Sequence, residues 1–225
     1  MSASAHRRLH DPRYLQLHIP GNGHIADVSG HGNVTAWVGT PAYATGPYSG
    51  RSMIELDGDA KAINCGNVTA FNAVSQFTFA CVAIQDVAGA TDGLLYQFTD
   101  TNNRIAVQTS SGLLILYVSS GSSSDGYINS SALIASGVPF HLAMVFDGTL
   151  TGNANRLRLY IDGFERAMTY DGTIPAVTAN FGPANPMYLG KVPVTTWDGK
   201  IGNARFYSCA LTGDEVAALY EYDTR

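Results

Sequence analysis

The chain has 225 residues, is 45% hydrophobic and only 14% charged, and carries a net charge of −5. That size suits one large domain with a substantial core, and the acidic balance excludes bulk nucleic-acid binding, which runs on Lys and Arg. No apolar run is long enough to span a membrane.

Residues 1–24 read as an irregular N-terminal arm, and residues 25–225 as the domain proper. The arm holds His6, Arg7, Arg8, His10 and Arg13, followed by an apolar alternation at Tyr14, Leu15, Leu17 and Ile19. It is either a frayed tail leading into an edge strand or a basic arm, and in the second case Arg7, Arg8 and Arg13 dock on a net-acidic neighbouring subunit. The arm lacks the apolar stretch of a secretory leader. Synthesis in a cytosol is therefore expected, with use there or after release by cell lysis.

Asp27-Val28-Ser29-Gly30-His31-Gly32-Asn33 is a loop whose glycines allow positive φ and whose Asp, Ser and Asn bond local amides. Residues 49–59 read as a strand with a turn at Asp57-Gly58. Glu55, Asp57 and Asp59 place three carboxylates on one strand face. Phe77 to Ile84 is a two-faced core strand, with Phe77, Phe79 and Cys81 on one side and Thr78, Ala80, Val82 and Ile84 on the other. Leu94–Thr99, Arg104–Thr109 and Leu113–Ser119 are three more strands, joined by loops short enough for hairpins. Residues 139–148 and 156–163 follow as a strand pair, each ending in an Asp-Gly. Asp198-Gly199 reads as a turn before the strand of residues 201–207. Leu211-Thr212-Gly213-Asp214-Glu215-Val216 is a helix start, with Thr212 and Glu215 as a capping box and Leu211 stapling onto Val216. Seven Asp-Gly pairs, at 57, 92, 125, 147, 162, 171 and 198, punctuate alternating strands. Together they indicate antiparallel sheets rather than βαβ units. Cys65, Cys81 and Cys209 are odd in number and lack CxxC spacing, which reads as buried free thiols.

The closing run from Gly199 to Tyr220, with Ile201, Arg205-Phe206-Tyr207, Ala210-Leu211-Thr212 and Leu219-Tyr220, resembles the end of laminin-G-like domains of the concanavalin A-like superfamily. Four further segments are similar to that pattern: the Asp27–Asn33 loop, the strand of residues 49–59 with its Asp57-Gly58, the hairpin of Phe140-His141 to Asp147-Gly148 and Tyr160 to Asp162-Gly163, and Pro186–Lys191. The resemblance covers about residues 25–222. It implies an all-β, two-sheet antiparallel jelly-roll sandwich with a short C-terminal helix. It also implies a structural role for His141, and a calcium ion held by Asp27 and Asn33 with Asn203 in the closing strand. The acidic residue usual just after that strand's Gly-x-Ile is here Gly202. Cys81 and Phe140 stand where the family commonly has Trp.

Three functions stay open. The first is a non-catalytic structural or adhesive protein of an assembly, best a phage virion component decorating a capsid or tail, with homo-oligomers and other virion subunits as partners. The second is a free-standing lectin module that stacks surface glycans on the loop aromatics Trp37, Tyr43, Tyr48, Tyr127, Tyr170 and Trp197. The third is a glycan-cleaving enzyme built on Glu55, Asp57 and Asp59, a row that resembles the carboxylates of related β-glucanases. Such enzymes need a nucleophile and an acid roughly 5 Å apart, and Asp59 is a methylene short. No P-loop, Rossmann fingerprint or Ser nucleophile elbow is present.

Overall fold

A computed structural model describes residues 9–48, 51–58, 61–87, 91–191 and 195–225. The strands form two antiparallel sheets. The first contains β1 (Leu15–Ile19), β3 (Tyr43–Thr45), β4 (Ser52–Asp57), β6 (Gln76–Gln85), β11 (Phe140–Asp147), β12 (Leu157–Ile161), β13 (Phe164–Arg166) and β16 (Asp198–Tyr207). Its order is β13-β12-β11-β6-β16-β4-β3, with β1 also paired to β16. The second contains β2 (Ala36–Val38), β5 (Ala62–Asn64), β7 (Asp92–Asp100), β8 (Asn103–Ser110), β9 (Leu113–Ser120), β10 (Asp125–Asn129), β14 (Thr169–Asp171) and β15 (Tyr188–Leu189). Its order is β14-β10-β9-β8-β7-β15-β5-β2.

The period of two in each strand places the core between the sheets. Phe77, Phe79 and Cys81 of β6 pair with Phe146, Met144 and Leu142 of β11, and all six face inward. Ile105, Val107, Leu114, Leu116 and Val118 meet them from the second sheet. The opposite face of β6 and β11 is not left to solvent. Ala80, Ala143 and Val145 pack under Val216 and Leu219 of the C-terminal helix (Gly213–Asp223), together with Leu211. That helix starts as its sequence dictates. Thr212 Oγ1 accepts from the Glu215 amide, and Glu215 Oε2 accepts from the Thr212 amide. All three cysteines are buried and free. Among the described residues, no helix is long and apolar enough to cross a membrane.

Several expectations change. The described part of the arm is built into the domain. β1 pairs with β16, and Leu9 lies buried against Tyr207, whose hydroxyl donates to the Leu9 carbonyl. Arg13 pairs with Asp11 within its own turn, at 3.0 Å from Nε, and its side chain stays 76% exposed. Arg7 and Arg8 lie outside the described residues. Asp92-Gly93, Asp125-Gly126 and Asp198-Gly199 sit in strands, not turns. At Gly199 the cause is close approach: its φ is +149°, and a Cβ there would meet the Ile84 carbonyl oxygen at 1.9 Å. By contrast, Asp162 and Gly163 form the expected tight turn between β12 and β13, with φ of 53° and 80°. Gly163→Val is expected to cost ~1 kcal/mol or more, because its side chain would also press on Tyr220, 3.2 Å from the missing Cβ. A thermal melt checks this, and an unchanged Tm would refute it.

Candidate functional site

The residues nominated from sequence do not form one site. Trp197 is fully buried in the core, and its Nε1 donates to the Ile84 carbonyl at 3.0 Å. It cannot stack on a ligand, which corrects the sequence reading. Tyr170 is half-buried against the core, with its hydroxyl donating to the Leu157 carbonyl at 2.9 Å. It too is a packing residue. Trp37 and Tyr43 come from the edge strands of opposite sheets and meet edge-to-face at 5.8 Å, sealing the open side of the sandwich. Tyr43 also lines a rim groove of about 500 Å³ with His24, Asp27, Asn33 and Thr35. Tyr48 packs elsewhere, over Met53 and Val82 on the first sheet.

The Asp27 loop does not fit calcium. Asp27 Oδ1 accepts from the amides of His18 and Ser29, and Oδ2 from Ser29 Oγ, the Asn33 amide and Asn33 Nδ2. Burial alone would push this carboxyl up, but those donors outweigh it and hold it below the usual carboxylate range. Calcium is held chiefly by carboxylate and carbonyl oxygens, and here N–H and O–H groups already occupy both oxygens of the loop's one carboxylate. Asn203 lines a different depression, with His18 and Arg205. No cluster of three His, Cys, Asp or Glu suited to a metal occurs among the described residues. The loop is a hydrogen-bonded strut that ties the 27–33 turn to β1.

The carboxylate row is likewise engaged. Asp57 bonds Lys61 at 2.6 Å, and Glu55 lies 3.9 Å from Lys200. Asp59 lies outside the described residues.

What the sequence reading missed is the outer face of the second sheet. Strand register aligns Tyr188, Tyr96, Ala106, Tyr117 and Asp125 in one row across β15, β7, β8, β9 and β10. Phe98 stacks on Tyr96 with ring centres 5.0 Å apart. The Arg104 guanidinium lies 3.6 Å above the Tyr117 ring. Ile115 extends the apolar surface, and Tyr127, its cross-strand partner, shares that face. Tyr127 is thus the only residue of the nominated aromatic set on this row's face. Tyr96 and Tyr117 stand two strand spacings apart, roughly 10 Å, and are themselves buried at 9% exposure under Phe98 and Arg104, so the accessible aromatic surface of this face is Tyr188, Phe98 and Tyr127. The outer face of a two-layer sandwich is ordinarily polar, so aromatic residues here need a reason.

The row ends in carboxylates. Asp125 stands opposite Asp171 on β14. Burial, and then Asp171, raise the Asp125 pKa above its usual value. Because the folded pKa is raised, the charged Asp125 works against stability at neutral pH, and this loss is relieved as pH falls through that pKa. Asp125→Asn should therefore raise the neutral-pH Tm slightly while weakening any ligand whose hydroxyls it accepts. Melts at pH 7 beside binding titrations check both halves.

The fold defined by these two sheets and one capped helix is that of a lectin-type jelly roll. Residues 57–217 match the laminin-G family of the concanavalin A-like lectin/glucanases superfamily, and the chain belongs to it. Among solved structures, it is similar to domain 4 of AbnA, a GH43 extracellular arabinanase from Geobacillus stearothermophilus in complex with arabinotriose. Identity is 22% and the TM-score 0.70, covering 92% of this chain and 98% of that one. The binding domain of Paraclostridial Mosquitocidal Protein 1 aligns at 15% identity with a TM-score of 0.70. The binding domain of Botulinum neurotoxin DC in complex with SialylT aligns at 14% and 0.69. The chain covers only 52% of each toxin domain. No curated sequence is a detectable relative of this chain.

Proposed function

We propose that this chain is a non-catalytic glycan-binding module that holds a sugar chain against the outer face of the second sheet. The observation that carries this is the registered row from Tyr188 through Tyr96 and Tyr117 to Asp125. Flat ring faces suit the apolar faces of sugars. Arg104 at the row's flank supplies donors and Asp125 at its end an acceptor, so hydroxyls on both sides of a bound ring find partners. The arabinotriose carried by the similar arabinanase domain supports the reading.

A subunit of a virion or other assembly is the narrower alternative. Its motives are the low charge, the single domain without a catalytic partner, the lack of a leader-like stretch and an arm able to reach a neighbour; of that arm, the described residues Leu9 and Arg13 lie on their own domain.

A glycan array that includes arabino-oligosaccharides tests it. The wild type should select a family of glycans, and Tyr188→Ala or Phe98→Ala should weaken the best of them by about tenfold, the worth of one stacking contact. Both side chains are half-buried, so the fold should survive. A flat array, or full binding by both variants, would refute the proposal.

A further inference from the structure

We propose a second site on the opposite side of the sandwich: a pocket for a small carboxylate-bearing molecule, over the outer face of the first sheet at the end of the C-terminal helix. A depression of about 300 Å³ there is lined by His18, Asn22, Arg51, Asn203, Arg205 and Tyr222. That volume is at the lower end for small-molecule sites.

Two guanidinium groups flank the Tyr222 ring, Arg205 at 5.5 Å from its centre and Arg51 at 6.0 Å. They are in different states. Arg205 is neutralised through Nη1 by both oxygens of Asp223, yet its Nε is buried with no partner. Arg51 has no carboxylate within ion-pair distance among the described residues. His18 Nε2 is also buried without a hydrogen bond of ordinary geometry, with the Asn203 side chain beside the ring. Burial, followed by the field of Arg205, pushes the His18 pKa down to about 3, so this ring is neutral. Asn22 Oδ1 faces Ser52, at 3.4 Å from its amide and 3.3 Å from its hydroxyl, which leaves the Asn22 amide N–H groups free to donate. Asn203 is turned by a β-bulge, where β16 slips against β6 between Gly202 and Arg205 and Asn203 takes φ of 49°. Bulges re-aim side chains in this way beside functional sites.

The charge count selects the ligand. One uncompensated guanidinium and several neutral donors suit a monoanion, and a planar carboxylate matches the guanidinium fork. A phosphate dianion would need a second free cation. The donors around Arg51 then suit hydroxyls next to the carboxylate. The two sites lie on opposite outer faces, so a ligand at one leaves the side chains of the other untouched.

Isothermal titration of the full chain with D-glucuronate and L-lactate, beside D-glucose and inorganic phosphate, tests the proposal. At least one of the two carboxylates should bind with Kd below ~10 mM, with glucose and phosphate about tenfold weaker or worse. Arg51→Ala should abolish that binding. Arg51→Lys should keep part of it, since the charge stays and the fork is lost. Tyr188→Ala should leave it unchanged, which separates this site from the aromatic face. Arg51 lies outside the buried core, and a wild-type Tm confirms that its variants fold. The proposal is overturned if neither carboxylate binds, if phosphate binds as tightly, or if Arg51→Ala binds like the wild type.

Discussion

Asp223→Ala is expected to lose about 3–5 kcal/mol of folding stability. Asp223 lies in the last turn of the C-terminal helix, where a negative charge opposes the helix dipole. It is tolerated because Arg205, 1% exposed, meets both its oxygens through Nη1, and His141 Nε2 lies 3.5 Å away. The group clamps the helix end to β16 and β11. Removing the carboxylate leaves a guanidinium buried beside an unpaired imidazole, which is far worse than losing the whole cluster. The double variant Arg205→Met, Asp223→Leu should accordingly recover most of the loss. The pH response has a definite sign. Burial alone would raise the Asp223 carboxyl, but Arg205 outweighs it and holds the pKa below its usual value. The contribution is fully present above the unfolded carboxyl pKa near ~4 and is lost as pH falls through the lower folded value. Urea titrations at pH 7 measure all three proteins. A single-variant loss under about 1 kcal/mol, the range of an exposed pair, would contradict the clamp.

Trp197→Ala is expected to cost about 3–5 kcal/mol, through the cavity left by a fully buried indole. The side chain belongs to the main core and bonds the Ile84 carbonyl. Gly199 makes this possible, since a Cβ there would lie 2.9 Å from the indole nitrogen. Trp197→Phe should cost less, keeping most of the packing and leaving one carbonyl unpartnered, about 1–3 kcal/mol. If Trp197→Phe kept full stability but lost sugar binding, the indole would be a ligand contact after all.

Local chemistry was legible in the sequence, and long-range placement was not. Thr212 and Glu215 bond each other across three residues, so the helix start could be read directly. The Asp162-Gly163 turn was equally local. The alternation of Leu15, Leu17 and Ile19 announced a strand, but its partner β16 lies almost the whole chain away. That is why residues 1–24 read as an arm, at most ending in an edge strand, rather than as part of the domain. Asp198-Gly199 looks like a turn pair, and only its neighbour strand β6 reveals that the glycine serves close approach. For the site, the reading looked for aromatics in loops, whereas the row lies on strands. A signal was present: Tyr96 and Phe98 fall out of phase with the core residue Leu95, and Tyr117 with Leu116 and Val118. In a two-layer sandwich those positions face outward, where polar residues are expected. Trp37 and Trp197 drew attention by residue type alone, yet both serve packing.

The most direct test of the aromatic face as a glycan site is amide chemical-shift mapping of the labelled protein, titrated with arabinotriose and a panel of neutral oligosaccharides. If that face is the site, the shifted amides will cluster on β7, β8, β9 and β15, around Tyr96, Ala106, Tyr117 and Tyr188. Shifts confined to the rim groove at Asp27, Asn33 and Tyr43, or no shifts with any sugar, would contradict it.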